Sequence, residues 1–150
     1  MEPILIPLSN WLHALATVIF IGYFVLLALI FLPALSKGGN GAALSEISKR
    51  SRVWMYASLL IFIVTGIYLM LMDPNYLGIG NFSNLWAILM LVKHLLIVGM
   101  IFLGFWFNFV LRVGPALRSD PDSQGFRRYV NIMAISGVLV LLLTAIAQVD

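Results

Sequence analysis

One apolar run near the start of the chain decides what kind of protein it can form. Residues 11–35 contain a single basic side chain, His13, among aliphatic, aromatic and small residues. A helix over this run rises about 37 Å, which exceeds the roughly 30 Å hydrocarbon core of a bilayer. The run therefore predicts a membrane-spanning helix that carries an imidazole near one end, and we expect Pro33 to end it.

The composition of the whole chain supports a membrane protein. Of its 150 residues, 62% are hydrophobic and 10% are charged, and the mean hydropathy is +1.04. These values exclude an ordinary water-soluble domain. The absence of cysteine excludes disulfides and thiolate metal sites. The net charge of +3 does not indicate a nucleic-acid partner. The positions of the basic residues along the chain are more informative than their sum. Because the first apolar run is too long for a signal-peptide core, we expect an uncleaved first span.

Three further apolar runs predict three more spans, separated by short polar connections. Four spans joined in this way are typical of an all-α, integral membrane four-helix antiparallel bundle, here a single domain over residues 1–150. The predicted spans cover residues 11–35, 53–72, 85–111 and 129–149.

The connections before spans two and three differ in composition. Residues 42–52 follow a glycine-rich stretch and include three basic side chains. We expect a solvated basic loop here; a short helix lying at the membrane interface is the alternative. Residues 73–84 contain no Lys or Arg, and Ser83 or Asn84 is expected to cap the start of span three.

The distribution of basic residues predicts the orientation. Eight of the nine Lys and Arg residues lie in or beside the connections between spans one and two and between spans three and four. The positive-inside rule then makes these connections cytoplasmic and leaves both termini outside. We expect a multi-pass protein of the plasma (inner) membrane.

The two halves of the chain resemble each other. At an offset of 82 residues, Gly22 matches Gly104, and the Pro-Ala-Leu sequence at 33–35 matches that at 115–117. This similarity predicts a duplicated helical hairpin. We expect the two glycines to form close helix contacts, as small residues do in bilayers.

Two histidines are predicted at comparable depth in the bilayer. His13 lies near the outer end of span one, and His94 lies nine residues into span three. A histidine from each of two helices is the arrangement in which haem b takes an imidazole on each side of its iron. Simple hydrogen bonding near the interface is the alternative for each. Their separation of 81 residues does not match the repeat offset and argues against symmetric ligation.

Lys93 is the one Lys or Arg residue inside a predicted span. A lysine facing lipid near the bilayer centre costs about 2.5–3.5 kcal/mol, and all six acidic residues lie outside the spans. The ammonium must therefore extend to the interface, lose its proton, or meet an anion from elsewhere. A haem or porphyrin propionate would supply that anion.

Two other functions remain open at this point. Copper(I) prefers soft ligands, and Met90, one turn before His94, could join the histidines in a copper site, as could Met70 or Met72. A neighbouring ammonium disfavours a bare cation, and most membrane methionines only fill space. The last possibility is a cofactor-free accessory subunit. Its partners would be the bilayer and either other subunits of a membrane complex or a second copy of the chain.

Several short motifs resemble the copper resistance protein D (CopD) family of small integral membrane proteins. This resemblance covers nearly the whole chain and implies a membrane protein of copper or redox function. The motifs are Trp11 and His13, Gly22, residues 33–35, the basic residues 49–52, Thr65 and Gly66, Lys93, and residues 115–117.

The chain also resembles, more distantly, the HemJ-type protoporphyrinogen oxidases, which carry a histidine in span one and a lysine in span three. That resemblance implies a haem or porphyrin site at His13 and Lys93. One departure concerns CopD-like proteins that have a histidine near the inner end of span three. Here residues 106–109 read Trp-Phe-Asn-Phe, so no metal ligand is expected there.

Overall fold

The protein is an all-α bundle of four long helices, as predicted. The computed structural model describes residues 2–36, 41–76, 78, 81, 83–107 and 124–147, and its regular structure within these ranges is entirely helical. Each of the four long helices is apolar and long enough to cross a membrane. The elements are α1 (Glu2–Leu26), a π-helical segment (Leu27–Phe31), α2 (Leu32–Ser36), α3 (Gly41–Met72), α4 (Leu85–Phe105) and α5 (Gln124–Ala147).

The first helix is longer than predicted at its start and does not stop at Pro33. It begins at Glu2, and α1, the π-helical segment and α2 follow one another without a break. Pro33 has no N–H to donate, and its ring crowds the carbonyl of Leu29. The preceding turn is widened to the π form, with the N–H of Leu32 bonded to the carbonyl of Leu27. Proline therefore widens this helix instead of ending it.

The expectation of a solvated loop over residues 42–52 is wrong. These residues form the first turns of α3 and continue directly into the second span. Alanine, leucine, lysine and arginine favour helix here, and Glu46 accepts a hydrogen bond from Arg50 Nε at 2.8 Å. Leu44 is buried in the core, so this segment also does not lie as a separate helix at the interface.

The remaining boundaries agree more closely with the sequence. Asn84 caps α4, and its side chain accepts a hydrogen bond from the Ala87 N–H at 2.9 Å. After α4, residues 106 and 107 form a π-helical turn, while residues 108–111 lie outside the described residues. The fourth helix begins at Gln124 rather than residue 129, and the buried ring of Phe126 explains the earlier start.

The four helices form an open arrangement around α1 and α5. α1 packs against α3 and α5, and α5 packs against α4. Over their described lengths, α3 and α4 make at most marginal contact. Asn10, Met70, Trp86 and Ala147 line one cavity, so the start of α1, the end of α3, the start of α4 and the end of α5 lie together. Neighbouring helices in the chain are therefore antiparallel.

The core lies between one face of the first helix and the face of α5 that packs against it. Its most enclosed side chains come from both helices, while large apolar side chains such as Val18, Leu29 and Phe102 are more than 60% exposed on the outside. An apolar exterior of this extent is typical of a bundle whose helices cross a membrane. The core residues with the least exposure in these two helices are Ala16, Ile21, Phe24, Leu27, Leu32, Val130, Met133 and Val140.

The closest glycine contact in the bundle is at Gly137, which the sequence repeat did not indicate. A Cβ added at Gly137 would lie 2.7 Å from Ile21 Cγ2, where α1 and α5 meet. Gly22 has nothing within 4 Å of such an atom, and Gly104 has only the Tyr129 hydroxyl at 3.9 Å. The expected close contact at Gly22 is therefore wrong. The Pro-Ala-Leu sequence at 115–117 lies outside the described residues.

Replacing Gly137 by alanine should lower stability by about 1–3 kcal/mol, because the added methyl group overlaps the branched side chain of Ile21. Thermal unfolding in detergent, followed by circular dichroism, measures the change. Gly22→Ala is the matched control and should not lower the melting temperature. Adding Ile21→Ala to Gly137→Ala should recover part of the loss. A Gly137→Ala variant as stable as the parent would contradict the contact.

Candidate functional site

A cavity of about 640 Å³ lies between α3 and α4 at the end of the bundle where α3 ends and α4 begins. This volume falls within the roughly 300–1,000 Å³ of typical cofactor and ligand pockets. All four residues selected from the sequence, His13, Met90, Lys93 and His94, line this cavity. The structure therefore brings them to one place, although they belong to helices that are not direct neighbours.

The tautomer of His13 is determined by Thr65. The Thr65 hydroxyl lies 2.6 Å from the carbonyl oxygen of Ile61 and donates its single proton there. Thr65 Oγ1 is also 2.9 Å from His13 Nδ1, and it can only accept in that second bond. His13 Nδ1 therefore carries a proton, and in the neutral ring Nε2 keeps its lone pair. Proteins usually orient a ligating histidine by such a hydrogen bond at the ring nitrogen that does not coordinate.

Two further residues of α3 fix the ring of His13. The ring stacks on Phe62 with centroids 4.6 Å apart and planes at 19°. A Cβ added at Gly66 would lie 3.1 Å from His13 Cε1, so the ring packs directly over the glycine. The Thr-Gly pair noted in the sequence thus supports His13 through one hydrogen bond and one close contact.

His94 has the same tautomer as His13, but a different acceptor fixes it. Its Nδ1 is 2.6 Å from the carbonyl oxygen of Met90, one turn earlier in α4. A carbonyl only accepts, so Nδ1 donates, and the Nε2 lone pair of the neutral ring is available to a ligand. α1 and α4 each therefore contribute one imidazole whose Nδ1 is occupied and whose Nε2 can coordinate.

Lys93 lines the cavity beside these histidines. Asp73, the residue after the end of α3 and thus outside the span as expected, lines the same cavity. Its carboxylate accepts a hydrogen bond from the Asn75 N–H at 2.9 Å. Within the part of the chain that the structure describes, Lys93 forms no ion pair. The ammonium thus faces the cavity without a direct protein counter-ion.

The ligand set does not form an all-protein metal centre of the usual kind. Among the described residues, no group of three or more His, Cys, Asp or Glu side chains is placed to hold a metal ion. Met70 lines the cavity with Met90, whereas Met72 is not part of its wall. Two imidazoles with apolar walls suit a flat cofactor better than a bare hard cation.

Several residues of the cavity were not identified from the sequence. Trp86 is buried, packs with Ala87 and Ala147, and forms part of the wall. Asn10 and Phe62 also line it. Trp86 and Phe62 could not be recognised as cavity residues from the sequence, because most residues of this chain are apolar. Asn10 could have been recognised, because it is polar and lies one turn before His13.

No protein-family model, curated protein or solved structure shows significant similarity to this chain. A function for this chain must therefore be inferred from the geometry of the cavity.

Thr65→Val should leave the Nδ1–H of His13 without an acceptor, because valine keeps the shape of threonine but accepts no hydrogen bond. The loss should cost about 1–3 kcal/mol of stability through a partly buried, unpaired donor. Nitrogen-15 spectra of histidine-labelled protein in detergent should show one Nδ1–H tautomer for His13 in the parent and a mixture in the variant.

Two controls accompany this measurement. Thr65→Ser should keep the parent spectrum, because it retains the hydroxyl. Thr144→Val changes another threonine of the cavity wall, whose hydroxyl bonds only within its own helix to Val140, and should leave His13 unchanged. An unaltered His13 signal in Thr65→Val would refute the role given to Thr65.

Proposed function

We propose that the protein binds haem b in the cavity between α3 and α4 and acts in membrane electron transfer, alone or as a redox subunit. The observation that carries the proposal is the pair His13 and His94. Both line one cavity, and both have Nδ1 occupied by a hydrogen bond and an Nε2 lone pair available.

The walls of the cavity fit a porphyrin. Ile63, Ile67, Ile97 and Val98 supply apolar surface for a macrocycle. The cavity is also polar at one edge, where Lys93 offers an ammonium to a propionate. Such a pair would resolve the missing counter-ion of Lys93, because a buried charge is stable only when it is paired.

Each residue then has a defined task. Haem supplies one-electron chemistry when it is bound. The Nε2 atoms of His13 and His94 would hold the iron, and Thr65 keeps His13 in the tautomer whose Nε2 can coordinate. Two imidazole ligands from the protein would favour electron transfer over the binding of a small substrate. Lys93 would orient the macrocycle by pairing with one of the haem propionates.

A copper(I) site is the second candidate, supported by the presence of Met70 and Met90 on the wall with both histidines. Thioethers and imidazoles are suitable ligands for copper(I). The Lys93 ammonium opposes a bound cation in the same cavity, whereas it favours an anionic macrocycle. For this reason we place haem first and copper handling across the membrane second.

We further propose the orientation that the basic residues predict. The end of the bundle with Lys49, Arg50, Arg52, Arg127 and Arg128, the basic end, would face the cytoplasm from the plasma membrane. The haem cavity would then lie in the outer half of the bilayer. Electron exchange with other subunits of a membrane complex, or with a second copy, is part of this proposal.

Protein expressed with an adequate haem supply and purified in detergent should show Soret and α bands in a reduced-minus-oxidised spectrum. His13→Ala and His94→Ala should each lose the six-coordinate spectrum. Lys93→Gln should keep the spectrum but bind haem about tenfold more weakly, since a charge-assisted hydrogen bond contributes about 1.5–3 kcal/mol.

Met90→Leu separates haem from copper, because it removes a thioether and leaves both histidines in place. Haem content should be unchanged in this variant. Copper that co-purifies with the parent and is lost in Met90→Leu, in protein without Soret absorption, would favour the copper site. Protein without haem bands from a haem-replete preparation overturns the haem proposal, and protein that carries neither group points to an accessory subunit.

A further inference from the structure

A second, smaller cavity of about 50 Å³ lies toward the basic end of the bundle, where residues 48–59 of α3 and the last turns of α4 form much of its wall and the first helix and α5 complete it. It has room for only a few water-sized groups, since one water needs roughly 10–15 Å³. Its wall is polar toward the helix start and apolar toward the membrane. Ser48, Ser51 and Arg52 form the polar part, and Leu59 and Met100 lie on the apolar part.

Arg52 differs from the neighbouring Arg50 in its partner. Arg50 bonds to Glu46 at 2.8 Å. Arg52 forms no ion pair with a carboxylate in the described ranges, and it lines the cavity. The hydroxyl of Tyr23 interacts with the side chains of Ser48 and Ser51 beside it. The Ser51 hydroxyl donates to the Ser48 carbonyl at 3.2 Å, so the group of this wall that is suited to an incoming acceptor is the guanidinium of Arg52.

The position of Arg52 along α3 gives the depth of this site. No charged residue follows it in α3, whose residues 53–72 are predominantly apolar. Arg52 is therefore the last charge before the apolar stretch, at the level where lipid headgroups meet the hydrocarbon. Arginine at this level is suited to bidentate bonds with a phosphate.

The cavity faces the surrounding membrane. Tyr56 of α3 and Phe105 of α4 stand on either side of it with ring centroids 6.3 Å apart. Tyr56 is 41% exposed and Phe105 is 48% exposed. The two rings are thus close to each other, and their exposed edges form an apolar surface beside the cavity on which a slender chain can lie.

We propose that this cavity binds one anionic phospholipid. The headgroup phosphate bonds to Arg52, and the first part of an acyl chain lies along the exposed edges of Tyr56 and Phe105. A net negative headgroup is favoured because Lys49 is on the same end of α3 and a zwitterionic headgroup brings its own cation. The small volume excludes a bulky ring system. This proposal is independent of the haem site.

Detergent-purified protein, titrated with dioleoyl phosphatidylglycerol or dioleoyl phosphatidylcholine and observed by native mass spectrometry, tests the site. Phosphatidylglycerol should bind more tightly than phosphatidylcholine. Arg52→Gln should weaken phosphatidylglycerol binding about fivefold, the effect of one basic residue near an anionic headgroup. Arg50→Gln makes the same change of charge two residues away and should bind the lipid like the parent.

Competition with inorganic phosphate distinguishes a lipid site from a general anion site. Millimolar phosphate should not displace the lipid, because it lacks the acyl chain. Displacement by phosphate, equal binding of the two lipids, or equal loss in Arg52→Gln and Arg50→Gln would each overturn the proposal. If Arg52→Gln does not fold, Arg52→Lys, which keeps the charge but removes the bidentate guanidinium, should weaken phosphatidylglycerol binding, and unchanged binding in that variant would also overturn the proposal.

Discussion

Hydrocarbon provides no hydrogen-bond partner for a peptide group, and the whole structure depends on this constraint. Every span must satisfy its own N–H and C=O groups, which for four separate apolar runs leaves only helices. The constraint holds even at Pro33, where an N–H is missing. The chain does not break there, because the π-helical turn at Leu27–Phe31 rearranges the bonds and allows the helix to continue to Ser36.

The second organising feature is the gap between α3 and α4. α1 and α5 form the packed centre, with Gly137 allowing Ile21 to approach closely; α3 packs on α1, and α4 packs on α5. Both cavities lie in this gap, and Ile101 contributes to the wall of each. The larger cavity contains imidazoles and an ammonium, and the smaller one contains hydroxyls and a guanidinium. The chemistry of the bundle is therefore concentrated where its packing is incomplete.

Polar side chains inside the helices are supported by specific partners. Thr65 bonds to its own helix and to His13, and His94 bonds to the carbonyl of Met90. Among the described residues, no buried side-chain nitrogen or oxygen lacks a hydrogen-bond partner. Lys93 is set apart because it forms no ion pair within the described residues. This is the physical reason for proposing an anionic ligand for the larger cavity.

The sequence by itself determined the class of fold, because the length and apolarity of four runs leave no other structure in a bilayer. It also identified His13, Lys93 and His94, since ionisable residues are costly within spans and therefore conspicuous. It did not determine the path of residues 42–52, where helix propensity and core contacts of Leu44 outweighed the polar composition.

Only the tertiary structure decided which helices are neighbours. Apolar faces look alike in a chain that is apolar throughout, so the contact of His13 with Thr65 and Gly66, and the gap that brings His94 opposite α3, could not be predicted. Their physical origin is the packing of α1 against both α3 and α5, which depends on the shapes of side chains and not on their polarity.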